Sequence, residues 1–230
     1  MKVSIMQPTY LPWLGYFDLI ARSDIFIFLD DVQFSYRSWQ QRNRILDSGK
    51  ERVLTVPVIR KGDGLKIRDT LIDESQNWRQ KHINSVRNAY RKTNNFNYYM
   101  KFFEGLIHEN RDNLNDLNQN LIKSIASHIG LEKIFLSSYD LACDGNKSQK
   151  LLNICKEVKA TEYLSAAGSR DYIEEEGCFS NSDIKVTYQE YSSRKYNQYG
   201  TKVFYPNLSI LDLLFNCGLE DINFHFDKLL

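Results

Sequence analysis

The N-terminal segment constrains the fold more than any other part of the chain, because it predicts two strands joined by a helix. Lys2–Met6 is a short apolar run typical of a buried strand, and Asp24–Leu29 predicts a second strand that is apolar on both faces. Between them, Pro12 can begin a helix that continues to Ile20, since its fixed φ suits the first helical turn. A strand, a helix and a strand within about 30 residues are typical of a βαβ unit, which favours an α/β fold.

Downstream, strand-like apolar runs alternate with apolar residues at helical spacing. The remaining predicted strands are 52–58, 134–136, 161–165 and 184–188, and the predicted helices are 78–90, 113–129, 146–158 and 209–215. In the last helix, Ser209 and Asp212 resemble a capping box, with Asp212 in the place usually taken by Glu or Gln. With no internal repeat and no low-complexity linker, residues 1–230 predict a single α/β domain with a mostly parallel sheet flanked by helices.

Charge and cysteine patterns argue against several classes of protein. Lys and Arg number 30 and Asp and Glu number 29, and this balance argues against non-specific binding to nucleic acid or to a membrane surface. No apolar run approaches the roughly 20 residues of a membrane-spanning helix, and the apolar start is too short for a signal peptide. The four cysteines are scattered and the four histidines lack metal-ligand spacing. We therefore expect a cytoplasmic protein without disulfides and without a metal site.

Polar clusters follow each of the first three predicted strands. They are Gln7–Pro12, Asp30–Phe34 and Val56–Pro57. Ligands of open parallel sheets bind outside the carboxyl ends of the strands, so the clusters predict one small-molecule site. Each cluster taken alone is equally compatible with a turn, a cap or a solvated charge. The candidate substrate-binding residues in and near these clusters are Gln7, Thr9, Tyr10, Tyr16, Gln33, Arg42 and Asn43.

Three side chains are candidates for catalysis. Asp30 and Asp31 are adjacent carboxylates at a strand end, where one of them could hold an amine or accept a proton, although solvated acids are common at such positions. His82 lies one helical turn from both Trp78 and Val86 and could act as a base, or it could be a histidine satisfied at the edge of the core. Arg42 could grip a diphosphate or a carboxylate through two hydrogen bonds, or form a surface salt bridge.

Several segments together resemble the WbqC-like family. They are 7–17, 29–34, 42–43, 54–58 and 208–218, so the resemblance covers essentially the whole chain. Members of that family are associated with clusters for O-antigen and other surface polysaccharides. The resemblance implies an enzyme of lipopolysaccharide or nucleotide-sugar biosynthesis, a transferase that moves an acyl or aminoacyl group, such as glycyl, to an amino sugar. The implied partners are a nucleotide-linked amino sugar and an acyl or aminoacyl donor.

A second resemblance is shorter. Pro8-Thr9, Trp13-Leu14-Gly15-Tyr16 and the strand that follows are similar to nucleotidyltransferase-type ligases such as pantothenate synthetase. Those enzymes neutralise phosphate charge with a His-x-Gly-His motif, whereas Trp13 and Tyr16 hold the two histidine places here and cannot carry positive charge. The alternatives to the transferase are thus an ATP-dependent ligase of nucleotidyltransferase type and a non-catalytic small-molecule-binding protein. The sequence identifies no cofactor, and it leaves open the sugar, the donor, the use of ATP and the oligomeric state.

Overall fold

The computed structural model describes residues 1–60, 62, 64–109, 111–219 and 222. The strands are β1 (Lys2–Met6), β2 (Ile25–Phe28), β3 (Arg42–Asp47), β4 (Lys50–Thr55), β5 (Ile134–Ser137), β6 (Glu162–Ser165) and β7 (Lys185–Tyr188). The α-helices are α1 (Leu14–Arg22), α2 (Trp78–Tyr90), α3 (Phe96–His108), α4 (Leu114–His128), α5 (Lys147–Glu157), α6 (Arg170–Glu176) and α7 (Ile210–Asn216).

The main sheet has five strands in the order β5-β2-β1-β6-β7, and every pair in it is parallel. The βαβ unit predicted at the N-terminus is confirmed, because β1 and β2 pair in parallel and α1 connects them. β1 lies at the centre, where strands covered on both faces become apolar throughout. The predicted single α/β fold with a mostly parallel sheet flanked by helices is therefore confirmed.

Alternation along β2 divides the core between the two faces of the sheet. Phe26 and Phe28 belong to the larger cluster, which also contains buried residues of α1, α2, α3, α4 and α7. Ile27 belongs to the smaller cluster, with buried residues of α5 and with Ile173 of α6. Since successive side chains of a strand point to opposite faces, these two clusters cover the sheet from opposite sides.

The third predicted strand has a different partner from the one expected. β4 pairs antiparallel with β3, and the two form a separate hairpin outside the main sheet. The prediction that Val56-Pro57 follows a strand of the same sheet as the other polar clusters is wrong for that reason. β3 was not predicted, because its residues Arg42–Asp47 mix basic and apolar side chains. α3 and α6 were not predicted either.

The last described helix packs against the polar segment that follows β1. Trp13 forms a β-bridge with Ser209, and the backbone N–H of Ile210 donates to the carbonyl of Pro12 at 2.8 Å. Gly15 has no side chain, and a Cβ at this position would collide with the Trp13 ring. None of the helices in the described part of the chain is both long and apolar enough to cross a membrane.

The predicted capping box at the start of α7 is half wrong. The Ser209 hydroxyl accepts from the backbone N–H of Leu211 at 3.3 Å, as a cap should. The Asp212 carboxylate does not bond back to Ser209, whose N–H donates instead to the carbonyl of Arg44. Asp212 is fully buried and turns into the core, where it accepts hydrogen bonds from other side chains.

Candidate functional site

A cleft of about 1020 Å³ opens at the carboxyl edge of the parallel sheet. Its walls come from the segments that follow β1, β2 and β5 and from the start of α5, which is where ligands of open α/β sheets bind. The side chains that give this cleft its chemistry are Gln7, Asp31, Gln33, Lys66, Tyr139, Cys143, Asp144, Asn146, Lys147, Lys150 and Tyr172. Three of the residues proposed from the sequence, Gln7, Asp31 and Gln33, are thus brought together.

Asp31 and Lys150 form a short ion pair in the wall of this cleft. The Lys150 Nζ lies 2.6 Å from the Asp31 Oδ2 and also donates to the carbonyl of Cys143 at 2.9 Å. The Ser138 hydroxyl donates to the Asp31 Oδ1 at 2.5 Å. The side chains of Asp31 and Lys150 are 11% and 10% exposed, so the pair is largely withdrawn from water while it still borders the cleft.

This environment keeps Asp31 ionised. Burial by itself raises the pKa of the Asp31 carboxyl, but the hydrogen bonds from Lys150 and Ser138 and the charge of Lys150 outweigh burial and hold the pKa below its usual range. A carboxylate with a low pKa is a weak base, whereas it remains a good partner for a cation. Each Asp31 oxygen accepts one hydrogen bond from a side chain and has a second lone pair for another donor.

Asp30 points to the other side of the same turn. It is 3% exposed and accepts hydrogen bonds from the Ser137 hydroxyl at 2.7 Å, the Gln119 amide at 3.1 Å and the backbone N–H of Tyr139 at 3.2 Å. It lines a smaller cavity of about 440 Å³ that shares Tyr139 with the cleft. The carboxylate of Asp30 therefore ties the segment after β2 to the segment after β5, and the two adjacent aspartates face different spaces.

Tyr10 and His82 lie in the interior, and neither lines the cleft. The Tyr10 hydroxyl bonds to the His82 Nδ1 at 2.9 Å, and the His82 Nε2 bonds to the carbonyl of Thr55 at 3.1 Å. Since a carbonyl can only accept, Nε2 carries the proton and Nδ1 accepts from Tyr10. Burial lowers the pKa of His82 to about 4, against a weaker opposing effect of the Thr55 carbonyl. His82 is therefore a neutral, doubly bonded link between α2, the hairpin and the segment that follows β1.

The remaining residues proposed for substrate binding lie outside the cleft lining. Asn43 donates to the carbonyls of Tyr10 and Leu11 at 3.1 and 2.8 Å, which fastens the hairpin to the segment after β1. Tyr16 is buried and donates to the carbonyl of Gln7 at 3.1 Å. Arg42 lies on the outer face of the hairpin, with its guanidinium 5.9 Å from the centre of the Trp39 ring. Thr9 is half-buried.

Gln7 connects the cleft to the turn that precedes the hairpin. Its Oε1 accepts from the Gln40 amide at 2.8 Å, and the Asn118 amide in turn donates to the carbonyls of Gln40 and Pro8 at 2.7 and 3.3 Å. These bonds hold the Gln-Pro segment in place from both sides. The polar motif after β1 thus has two roles in the fold, because Gln7 borders the cleft while Tyr10 secures the loop in the core.

Lysines and tyrosines give the cleft cationic and aromatic walls. Lys66 forms no ion pair with any described residue, and Lys147 is paired with Glu176 at 3.2 Å while remaining exposed. The Glu176 carboxylate also accepts from the backbone N–H of Ser148 at 3.0 Å, so it already occupies the N-terminus of α5. Tyr172 is exposed and offers its ring to a sugar or a base, whereas the Arg68 guanidinium already lies over the Tyr139 ring.

Two residues of the site were missed in the sequence, although each carried a signal. Lys150 lies one helical turn before Ile154, which belongs to the apolar face of α5. The helical spacing in the sequence therefore indicated a basic residue on the inner side of that helix. Ser138 lies two residues after the predicted strand 134–136 and directly after β5, close to a strand end as Asp30 is. No group of three or more His, Cys, Asp or Glu side chains within the described ranges is placed to hold a metal ion, and His225 lies outside those ranges.

Comparisons with known proteins identify relatives over nearly the whole chain. The sequence model described as the WbqC-like protein family matches residues 7–224. The chain is 39% identical over 222 residues to a protein of Mycobacterium tuberculosis (strain ATCC 25618 / H37Rv) named Uncharacterized protein Rv1507c, and the match covers 95% of each chain. No solved structure matches the chain significantly.

Proposed function

This chain belongs to the WbqC-like protein family, and from that membership we propose that it is a transferase of surface-polysaccharide or nucleotide-sugar biosynthesis. In the proposed reaction an acyl or aminoacyl group, such as glycyl, moves from an activated donor to the amine of a nucleotide-linked amino sugar. The observation that carries the proposal is the Asp31 carboxylate, held ionised beside Lys150 in the wall of the cleft.

The chemistry of the cleft fits the three parts of such a substrate. The amine is a cation at neutral pH, and Asp31 offers it a charge-assisted hydrogen bond. The diphosphate needs positive charge, which Lys66 and Lys147 supply along the cleft. The exposed ring of Tyr172 and the amides of Gln7 and Gln33 suit sugar rings and hydroxyl groups.

The reaction sets a limit on what Asp31 does. The ammonium group first loses a proton to bulk water, and the nitrogen lone pair of the resulting amine attacks the acyl carbon. The bond from that carbon to the donor's leaving group then breaks, and the departing group takes the second proton from the nitrogen. Because its pKa is lowered, Asp31 is a poor acceptor for that proton, so we assign it to holding and orienting the amine. We assign Asp30 and His82, whose bonding atoms are all engaged, to fixing the loops that carry the cleft.

Calorimetry with matched ligands tests the proposal. The ligands are pairs of UDP- and dTDP-linked sugars that differ only in carrying an amine or a hydroxyl at one carbon. Wild-type protein should bind the amine member about tenfold to hundredfold more tightly, and Asp31→Asn should remove that preference, since a hydrogen bond to a charged group contributes about 1.5–3 kcal/mol. Asp30→Asn is the matched control, because it makes the same change in the neighbouring residue that faces the other cavity; in its folded fraction the preference should persist.

Two outcomes would contradict the assignment. If Asp31→Asn weakened the binding of both members of a pair equally, Asp31 would shape the cleft without contacting the amine. If no nucleotide sugar bound at all, the proposed substrate class would be wrong. Turnover assays with an acyl or aminoacyl donor, run with and without ATP, separate a transferase from an ATP-dependent ligase, and binding without turnover in either would indicate a binding protein.

A further inference from the structure

One side of the molecule beside the cleft combines arginines with exposed apolar side chains, and the proposed reaction does not use it. We infer that this side docks the protein on a membrane that contains anionic phospholipids. The inference does not rest on the proposed function. We call this region the arginine–aromatic surface, and its defining residues are Tyr36, Arg37, Trp39, Arg42, Val53 and Arg60.

Exposed large apolar side chains are concentrated in this region. Trp39 is 48% exposed, whereas Trp78 is buried and Trp13 is packed against the core. Val53 and Ile59 are 52% and 42% exposed. Single exposed apolar residues are ordinary on a protein surface, but a tryptophan grouped with aliphatic residues is typical of an interaction site. Tryptophan in particular is favoured at the boundary between lipid headgroups and acyl chains.

Positive charge is concentrated in the same segment. Six basic and two acidic residues lie in 36–60, a local excess of four positive charges in a chain whose formal net charge is +1. The two acidic residues are already paired, Glu51 with Arg44 at 2.9 Å and Asp47 with Arg52 at 2.7 Å. Arg37, Arg42 and Arg60 form no ion pair within the described part of the chain, so their charge is available to an anionic partner. The overall charge balance conceals this local excess.

Contacts join most of these side chains into two groups, and one turn of the chain carries an aromatic residue of each group. The guanidinium groups of Arg42 and Arg44 lie 5.9 and 5.2 Å from the centre of the Trp39 ring. Val53 is directly opposite Arg44 in the β3–β4 register and therefore shares its outward face. The Arg60 guanidinium lies 5.2 Å from the centre of the Tyr36 ring, and Tyr36 and Trp39 belong to the same turn.

This surface adjoins the cleft. The turn that carries Tyr36 and Trp39 also carries Gln40, whose amide donates to Gln7 in the cleft lining at 2.8 Å. Gln33, which also lines the cleft, lies three residues before Tyr36. Docking through the arginine–aromatic surface would therefore bring the cleft close to the headgroup layer.

The same composition could in principle bind single-stranded nucleic acid, but two observations favour a membrane. Bases stack on free aromatic faces, whereas Arg42 and Arg44 already lie over the Trp39 ring. The exposed aliphatic side chains of Val53 and Ile59 offer nothing to a phosphate backbone, while they gain from contact with the upper part of the acyl chains.

Vesicle co-sedimentation of the full chain tests the inference. Wild-type protein should bind vesicles of phosphatidylglycerol and phosphatidylethanolamine, bind phosphatidylcholine vesicles much more weakly, and dissociate as salt is raised. Arg37→Gln/Arg60→Gln should weaken binding by about 25-fold, since each basic residue near such a surface contributes about fivefold. Trp39→Ser should weaken vesicle binding severalfold. It should also make the vesicle affinity less sensitive to how tightly the acyl chains are packed.

Two matched controls isolate the surface from general effects. Tyr98→Ser removes an aromatic side chain that is 58% exposed on α3, and Arg91→Gln/Lys101→Gln removes two exposed charges, one directly after α2 and one in α3. Both controls should bind anionic vesicles like wild type. The inference is overturned if wild type does not prefer anionic vesicles, if the controls weaken binding as much as the test variants, or if single-stranded oligonucleotides compete the protein off the vesicles through the same residues. Nucleotide-sugar calorimetry on the same variants reports separately on the cleft.

Discussion

Two carboxylates, the partly buried Asp31 and the fully buried Asp212, lie in opposite electrostatic situations. Asp31 borders the cleft, pairs with the cation of Lys150, and has a lowered pKa. Asp212 is fully buried in the core, and its hydrogen bonds come from the uncharged groups of Tyr90 at 2.9 Å, Tyr196 at 2.7 Å and Gln198 at 2.8 Å. Burial is the larger effect on Asp212 and raises its pKa in spite of the three donors.

The two surroundings suit the carboxylates to different roles. Asp31 keeps its negative charge where a ligand can reach it, so the carboxylate can contribute interaction energy to ligand binding. Asp212 has its oxygens occupied by side chains from α2 and from the segment that precedes α7, so its energy goes into holding that segment on the core. A carboxylate's burial alone therefore does not indicate a functional site, whereas its partners and its access to a cleft do.

The largest effect that this comparison predicts is a loss of stability in Asp212→Ala. The variant leaves two tyrosine hydroxyls and one amide without their acceptor in the core, so the free energy of unfolding should fall by about 3–5 kcal/mol. Asp212→Asn, which keeps one acceptor oxygen, should lose less. Denaturant titration measures both values. Nucleotide-sugar affinity of the folded fraction should remain unchanged, and an unchanged stability with lost affinity would place Asp212 in the site and break the comparison.

Lowering the pH should reduce the free energy of unfolding by about 3 kcal/mol through His82, which is at the low end of the loss expected for Asp212→Ala. Its pKa is about 4 in the folded protein against an ordinary 6.5, so the unfolded chain binds the proton more readily. The stabilising effect of the neutral ring is complete above pH 6.5 and is lost as the pH falls toward about 4, at about 1.4 kcal/mol for each pKa unit. Urea titrations across this range should show the loss in wild type and not in His82→Gln, and equal slopes in the two proteins would exclude this origin.

The His82→Gln background sharpens the comparison of the two carboxylates, because their contributions have opposite signs. The pKa of Asp31 is below the ordinary 3.8, so its stabilising effect persists above that pH and is lost as the pH falls through the lowered value. The pKa of Asp212 is above 3.8, so its stabilising effect is present below that pH and is lost as the pH rises through the raised value. Replacing each residue by Asn should therefore change the acid limb in opposite directions.

The parts of the fold that the sequence predicted are those whose apolar residues follow a regular pattern. The βαβ unit and α2 were predicted because central strands are apolar on both faces and because the helix carries buried residues at helical spacing. β3 was missed because it faces the core with Ile45 and the solvent with Arg42 and Arg44. This segment becomes a strand because it pairs with β4, and no local sequence pattern indicates that pairing.

For the site, the sequence located the right edge of the sheet but not the direction of each side chain. The polar residues after β1 and β2 do reach that edge, yet Tyr10 turns into the core while Gln7 lines the cleft. The same holds for Asp30 and Asp31, which are neighbours in the chain and face different cavities. Such orientation is decided by long-range contacts, for example those of Lys150 and Ser138, which lie more than a hundred residues away in the chain.

A smaller loss of stability is expected when the Lys150 cation beside Asp31 is removed. Lys150→Met leaves the carboxylate without its charged partner, and Asp31→Asn does the same to the lysine. Each single variant should lose about 1–3 kcal/mol of unfolding free energy, less than a fully buried pair would, because this pair borders the cleft. The double variant should lose less than the sum, with a coupling of about 0.5–3 kcal/mol. Additive losses would mean that the two charges do not stabilise each other.

The smallest predicted effect, in Ser138→Ala, asks whether the Asp31 charge depends on its uncharged partner as well as on Lys150. The Ser138 hydroxyl has one proton, and its 2.5 Å bond to the Asp31 Oδ1 is much shorter than its 3.2 Å contact with the Asp30 Oδ1, so the proton belongs to the Asp31 bond. Its removal should raise the Asp31 pKa toward the ordinary value and reduce the preference for an amine ligand by about 0.5–1.5 kcal/mol, a few-fold change in affinity. Ser137→Ala is the control, since that hydroxyl donates to Asp30 at 2.7 Å and leaves the Asp31 bonds in place. If the two variants reduced the amine preference equally, the two aspartates would act as one unit, and the division of labour between the two cavities would be wrong.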